Sequence, residues 1–256
     1  MTMNRIRLVK QFENISLENL QILIKFIFKH PLYSFFTLYH KAIYETVYKE
    51  CVSNLLSGKN CTIMLPEEFL EKEQMKMEKN VIINHTHDTI HLLETYFLVS
   101  LIKDVNAKTV FEIGTYKGAT TSNIAYNLMK DAKIYTLDLL PFLDFTPGEL
   151  FKNDTNISNA IVQLYGNSTQ FDFKPYYEKV DVMFIDGNHR YDYVISDSEN
   201  ALQCVRQNGY IVWDDFSQIY PGTMKAVSDI CIKYDLQLIH IYGTKFAVCK
   251  NTVKKE

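Results

Sequence analysis

Val110-Phe111-Glu112-Ile113-Gly114-Thr115-Tyr116-Lys117-Gly118 is the stretch that decides the fold. The β-branched and aromatic run from Thr109 to Ile113 predicts a buried strand, and the two glycines after it predict a tight turn. The polar-to-apolar pattern from Ala119 to Met129 suits a helix. Strand, turn and helix in that order are the first unit of a doubly wound α/β fold. Gly114 lets a ligand approach the backbone with no Cβ in the way, and Gly118 lets the helix begin close to the strand. Glu112 puts a carboxylate at the strand's end, facing the crevice.

A dinucleotide site fails on spacing. The pyrophosphate fingerprint needs three glycines as G-x-G-x-x-G, whereas here two are spaced G-x-x-x-G behind an acid. Acid-x-Gly-x-x-x-Gly resembles the first motif of the class I S-adenosylmethionine (SAM) methyltransferases, whose ligand carries a cationic amino-acid end and no phosphate. Taken alone, the motif also suits a plain βα turn of another α/β protein. The resemblance implies that Glu112 lies near the amino-acid end of SAM, with Gly114, Thr115 and Gly118 as further cofactor contacts.

A chain of 256 residues can hold one α/β domain of ordinary size plus an appendage. Hydrophobic residues at 47% and charged residues at 22% describe a soluble globular protein with a sizeable core. A net charge of −3 gives no footprint for nucleic acid. Five scattered cysteines without a C-x-x-C pair fit a reduced, cytoplasmic setting. Met1–Lys10 has basic residues but no apolar run, so no signal peptide is read there. Lys25, Lys29, His30 and Pro31 interrupt the most apolar stretch, and no transmembrane helix is expected.

Only Gly58 precedes Gly114, so the first part of the chain reads as helical. Residues 1–80 are expected to form a helical extension for oligomerisation or as a lid, and 81–256 the methyltransferase domain. Phe26, Phe28, Phe35, Phe36 and four tyrosines between residues 20 and 50 are many aromatics for a surface. Burial against the catalytic domain or in a homo-oligomer is the expectation. A basic amphipathic helix lying on a membrane is the alternative. His85, His87 and His91 look like zinc ligands on paper, but no cysteine or fourth histidine follows at a ligand spacing, and a loop entering a helix over Thr89–Lys103 is the simpler reading.

Lys133–Asp138 predicts a second strand ending in an acid 24 residues beyond Gly114. In dinucleotide folds an acid at about 20 residues bonds the ribose hydroxyls, and SAM has the same ribose, so Asp138 can do that work. Thr146-Pro147 predicts the cap of a short helix, and Ile161–Tyr165 a third strand turning at Gly166-Asn167-Ser168. In resembling enzymes an acid or amide there contacts the adenine; Asn167, with Ser168, is expected to do so here. Val180–Ile185 is a near-continuous apolar run, a strand buried on both faces. A helix is expected over Tyr193–Gln207 and a strand over Gly209–Trp213. Leu236–Tyr242 and Lys245–Cys249, flanking Gly243, predict a closing hairpin. The fold class is thus α/β, a Rossmann-like, mostly parallel seven-stranded sheet with a C-terminal antiparallel hairpin.

Asp186, Asp214 and Asp215 fall at the carboxyl ends of two consecutive strands, where ligands of such sheets collect. Converging carboxylates repel unless protons or a cation sit among them, and oxygen-only ligands favour Mg²⁺ or another divalent ion. Capping of helices and loops by the same acids is the alternative. Phe184-Ile185-Asp186-Gly187-Asn188-His189 and Gly209-Tyr210-Ile211-Val212-Trp213-Asp214-Asp215-Phe216 resemble the metal-dependent O-methyltransferases of the macrocin and, more distantly, catechol type. The similarity runs over residues 85–250. It implies that Asp186, Asp214 and Asp215 hold the metal, that Asp186 also meets the cofactor, and that His189 stands where relatives carry a lysine or histidine base.

The expected activity is therefore Mg²⁺-assisted, SAM-dependent O-methylation of a small polyhydroxylated acceptor, a sugar or glycoside. The metal would bind two vicinal acceptor oxygens, and His189 would take the proton of the one to be methylated. Two rivals stay open: a metal-independent methyltransferase of the same fold, and a non-catalytic SAM-binding scaffold.

Overall fold

The computed structural model describes residues 61–75, 81–83, 90–141 and 145–253. The helices expected before residue 57, the aromatic stretch 20–50, and His85 and His87 lie outside these residues.

The described chain builds one eight-stranded sheet. In chain order it runs β1 (Cys61–Met64), α1 (Pro66–Lys72), α2 (Leu92–Asp104), β2 (Thr109–Ile113), α3 (Ala119–Asn127), β3 (Lys133–Asp138), β4 (Ile161–Tyr165) and β5 (Val180–Ile185). It continues with α4 (Tyr191–Cys204), β6 (Val205–Trp213), α5 (Pro221–Lys233), β7 (Leu238–Ile241) and β8 (Ala247–Lys250). The strand order is β1-β7-β8-β6-β5-β2-β3-β4. All neighbours are parallel except β8, which runs antiparallel to both β6 and β7. The mostly parallel sheet and the C-terminal antiparallel pair are as the sequence predicts. The strand count is not: β1, from a segment expected to be helical, adds an eighth strand alongside β7, with Cys61 opposite Leu238 and Met64 opposite Ile241.

The core follows from the apolar patterns. In β5, Val180, Val182, Met183 and Phe184 are fully buried, as a central parallel strand covered by helices on both faces requires. Helix α2 packs Phe97, Leu98, Leu101 and Ile102 into the core, each side chain contributing roughly 1.5–3 kcal/mol by its removal from water. The helix begins where Glu94 Oε2 accepts the backbone N–H of His91, at 2.9 Å. Past its end Asn106 takes the left-handed conformation, φ +49°, that commonly closes a helix.

Three boundaries differ from the sequence reading. Helix α4 starts earlier, at Tyr191, and ends at Cys204, because the chain from Val205 already pairs with β5, Val205 opposite Val180. The helix expected after Thr146-Pro147 is a run of turns, followed by a 3₁₀ turn at Ser158–Ala160. Helix α2 begins at Leu92, with Ile90 and His91 outside it.

Candidate active site

The strand order reverses between β2 and β5, the switch point at which ligands bind open α/β sheets. A cavity of about 270 Å³ lies there, lined by Gly114, Tyr116, Asp138, Asn167, Ser168 and Asp186 among others. Its floor is laced by backbone bonds: Gly114 N–H donates to Leu137 O at 2.9 Å, and Asp186 N–H to Ile113 O at 2.8 Å. Gly114 has φ +101°, and a Cβ there would stand 2.0 Å from Asp186 O. Only glycine lets the β2 and β5 turns come this close.

At the β3 end, Asp138 Oδ2 accepts the Tyr116 N–H at 2.7 Å and Oδ1 accepts the Leu139 N–H at 2.6 Å. The carboxylate thereby fixes the turn after β2 while still lining the cavity. The half-exposed Tyr116 ring stacks on Phe145, with centroids 5.6 Å apart.

Behind the cavity, Glu112 has no solvent exposure. Its Oε2 accepts the hydroxyls of Thr121 and Thr136, each at 2.5 Å, while Oε1 has no hydrogen-bond partner among the described residues. Burial pushes its pKa up to about 7, against the pull of the two hydroxyls.

A second constellation lies at the ends of β5 and β6. Asp214 and Asp215 are each only 4% exposed, so their charges need partners within the protein. Asp215, in the left-handed region at φ +55°, meets His189 Nδ1 with Oδ2 at 3.1 Å. Its Oδ1 meets Lys245 Nζ at 2.5 Å. Asp214 Oδ1 accepts the Asp215 N–H at 2.6 Å and lies 3.3 Å from the same ammonium. Lys245 sits in the turn between β7 and β8. Its backbone N–H donates to Glu94 Oε1 at 2.7 Å, and its carbonyl accepts from Phe216 N–H at 2.8 Å. Burial works against the Lys245 charge, but Asp214, Asp215 and Glu94 outweigh it and hold the pKa above the usual lysine value. Burial, then the charge of Glu94, pushes Asp214 up to about 7, with Lys245 opposing. Burial and the two neighbouring aspartates hold Asp186 well above the usual carboxylate range.

His189 is seated from behind by α5. Its carbonyl accepts Thr223 Oγ1 at 3.3 Å, and a Cβ on Gly222 would stand 2.8 Å from that carbonyl. The imidazole lies against the Tyr220 ring, centroids 4.5 Å apart.

A family model described as a methyltransferase domain matches residues 111–216, the span holding both constellations except Glu94 and Lys245. The caffeoyl-CoA O-methyltransferase 2 of Petunia hybrida is 27% identical over 174 residues, 62% of this chain and 66% of that enzyme, so the chain spans just under two thirds of its length. An uncharacterised protein of Acanthamoeba polyphaga mimivirus is 26% identical over 174 residues, covering 60% of this chain and 73% of its own. Among solved structures, a methyltransferase of Podospora anserina bound to S-adenosylhomocysteine (SAH) superposes with a TM-score of 0.53 at 17% identity, covering 65% of this chain and 80% of that one. That likeness is one of fold. Residues 111–216 thus carry a methyltransferase domain, on a fold shared with SAM-dependent enzymes.

The site brings some expected residues together and sets others apart. Asp138, Asn167, Ser168, Asp186 and Gly114 share the cavity. Glu112 does not face the crevice: it stands behind the wall, tying α3 to β3 through Thr121 and Thr136. Thr115 and Gly118 do not line the cavity either. Thr115 Oγ1 bonds Thr136 Oγ1 at 2.7 Å, and Gly118 caps α3 at φ +87°, where a Cβ would meet the Phe151 ring at 2.5 Å. All three shape the turn that the cavity residues stand on.

Three residues around this site escaped the sequence reading. Lys245 is a charge at the turn between two apolar runs, and that contrast is its one signal in the sequence. Glu94 is the acid in the first turn of α2 and reads in sequence only as a helix-start residue. Asp197 of α4 is fully buried, neither carboxylate oxygen has a hydrogen bond of normal geometry, and Oδ2 lies 3.6 Å from where a Gly187 Cβ would be. No spacing pointed to it.

Proposed function

We propose that this methyltransferase methylates a hydroxyl of a small polyhydroxylated acceptor, a sugar or glycoside, with SAM as methyl donor. The observation that carries the reading is the His189–Asp215 pair at 3.1 Å, set one strand from the cavity. An Nδ1–H donated to Asp215 leaves Nε2 as the proton acceptor, and an imidazole can take a proton at neutral pH. The Asp215 carboxylate then stabilises the imidazolium formed. The sugar acceptor is supported by the resemblance of the 184–189 and 209–216 motifs to the macrocin-type enzymes.

The cavity suits SAM. Asp138 would hold the ribose hydroxyls, Asn167 and Ser168 the adenine, and the Gly114 turn lets the ligand lie against bare backbone. When bound, SAM supplies a methyl group on a sulfonium. The protein contributes orientation of the acceptor and removal of its proton, with no covalent intermediate on a side chain.

The Mg²⁺ expected at Asp186, Asp214 and Asp215 does not suit the arrangement. Such an ion needs near-octahedral oxygen ligation at about 2.0–2.1 Å. Three of the four oxygens of Asp214 and Asp215 already face N–H donors, and among the described residues no group of three or more His, Cys, Asp or Glu is placed to hold a metal. No step of this proposal passes through a metal.

The proposal also includes self-association through residues 20–50, supported by the aromatics of that stretch. Mass spectrometry after incubation with SAM and a panel of sugar nucleotides, with caffeoyl-CoA included because the Petunia relative is named for it, tests the acceptor. Methylated sugar is the expected product. SAH binding with no product from any hydroxylated acceptor would leave the scaffold reading.

A further inference from the structure

We propose that Lys245 is the resident cation of this reaction centre. Its ammonium holds the place between Asp214 and Asp215 that a divalent ion would need, and it positions Asp215 against His189. This deepens the methyltransferase reading and rests on it.

The geometry is that of a built site. The ammonium reaches both buried aspartates, 3.3 Å from Asp214 Oδ1 and 2.5 Å from Asp215 Oδ1. Its backbone is pinned on both sides, by buried Glu94 on the N–H and by the residue following the aspartate pair on the carbonyl. A surface lysine that merely leaned on a carboxylate would have neither anchor. The cost of ordering the side chain is reduced because the turn is already fixed, and the charge is fixed with it.

The Asp215 carboxylate is divided between two partners, Lys245 on Oδ1 and His189 on Oδ2. Holding one oxygen sets the direction of the other, so Lys245 acts on the base through Asp215. It is a positioning residue. A divalent ion entering among these acids would have to displace the ammonium and then bear its charge as a close neighbour. The lysine thus supplies the positive charge that Asp214, Asp215 and Glu94 require and excludes the ion that would otherwise supply it.

Titrating Mn²⁺ into the full chain, followed by electron paramagnetic resonance, tests the assignment. The wild type is expected to show no specific site. Lys245→Met keeps the aliphatic stem but removes the charge, and is expected to bind Mn²⁺ at least tenfold more tightly than the wild type. Lys245→Arg, which restores a cation, is expected to exclude Mn²⁺ again. A simple packing role for the lysine would not produce this gain and its reversal. Stoichiometric Mn²⁺ binding by the wild type, lost in Asp214→Asn, would overturn the proposal, and so would a Lys245→Met protein that gains nothing. Calorimetry with SAH on the same samples shows that each variant is folded. Failure of the wild type to bind SAH would strike the methyltransferase reading itself, an outcome distinct from either Mn²⁺ result.

Discussion

At Glu112 a carboxylate with no solvent contact is held by two threonine hydroxyls and titrates near neutrality, at about 7. Because the folded pKa is raised, the native state binds the proton more tightly than the unfolded chain. The contribution of Glu112 to stability should be full below the ordinary glutamate pKa of about 4.5, be lost as pH rises towards about 7, and change no further above. The loss is about 3.5 kcal/mol at most, taking about 1.4 kcal/mol per pKa unit over the shift from 4.5 to about 7. Buried Asp197, raised to about 6, adds a loss of the same sign over a lower window. Urea denaturation of Glu112→Gln across this pH range should give a flatter profile than the wild type. An unchanged slope would remove Glu112 as its source. The spacing of acid, Gly114 and Asp138 was readable because it is set by local turn geometry. Which way Glu112 faced was not, since strand alternation is indifferent to which helix lies behind. His189 lay in a readable motif, and its replacement by alanine should reduce kcat by roughly 10²–10⁴ with SAH affinity nearly unchanged. A kcat within a few-fold of wild type would dismiss it as the base.

Among the elements, β2 and β5 bear the most weight, since their ends meet at Gly114 and Asp186. Gly114→Ala combines a positive φ with a Cβ 2.0 Å from a backbone carbonyl, a contact no rotamer can relieve. Substitution should separate the two strand ends and lower thermal stability by several kcal/mol, with SAH affinity falling in parallel. Calorimetry showing wild-type SAH affinity in that variant would mean that the turn can rearrange freely. Strands β2, β3 and β5 were legible because β-branched, aromatic and other apolar residues dominate each of them. The start of β6 was not: Arg206-Gln207 favours helix by composition, yet Val205 already lies opposite Val180. Tertiary pairing overrode local preference there. Strand β1 was missed because four residues carry too little alternation to register, and its ladder partner, β7, lies far along the chain.

For the whole molecule, the cofactor cleft draws on strands within the matched domain, so SAH should bind and NAD should not. Asp138→Ala should weaken SAH at least tenfold by calorimetry, and NAD binding in place of SAH would overturn the cofactor assignment. Light scattering of the full chain should report a dimer or larger if residues 20–50 associate. A monomer that sediments with anionic liposomes would favour the membrane alternative. Among the described residues no helix is long and apolar enough to cross a membrane. The hairpin that carries Lys245 also has a bearing on biosynthesis. A ribosome releases Glu94, Asp186, Asp214 and Asp215 long before the one ammonium that balances them, and β6 emerges before its neighbour β8. A nascent chain halted ahead of Thr244 therefore holds a knot of acids with no counter-charge beside an open sheet edge. Such chains should stay sensitive to protease until Lys245 and β8 are free of the exit tunnel.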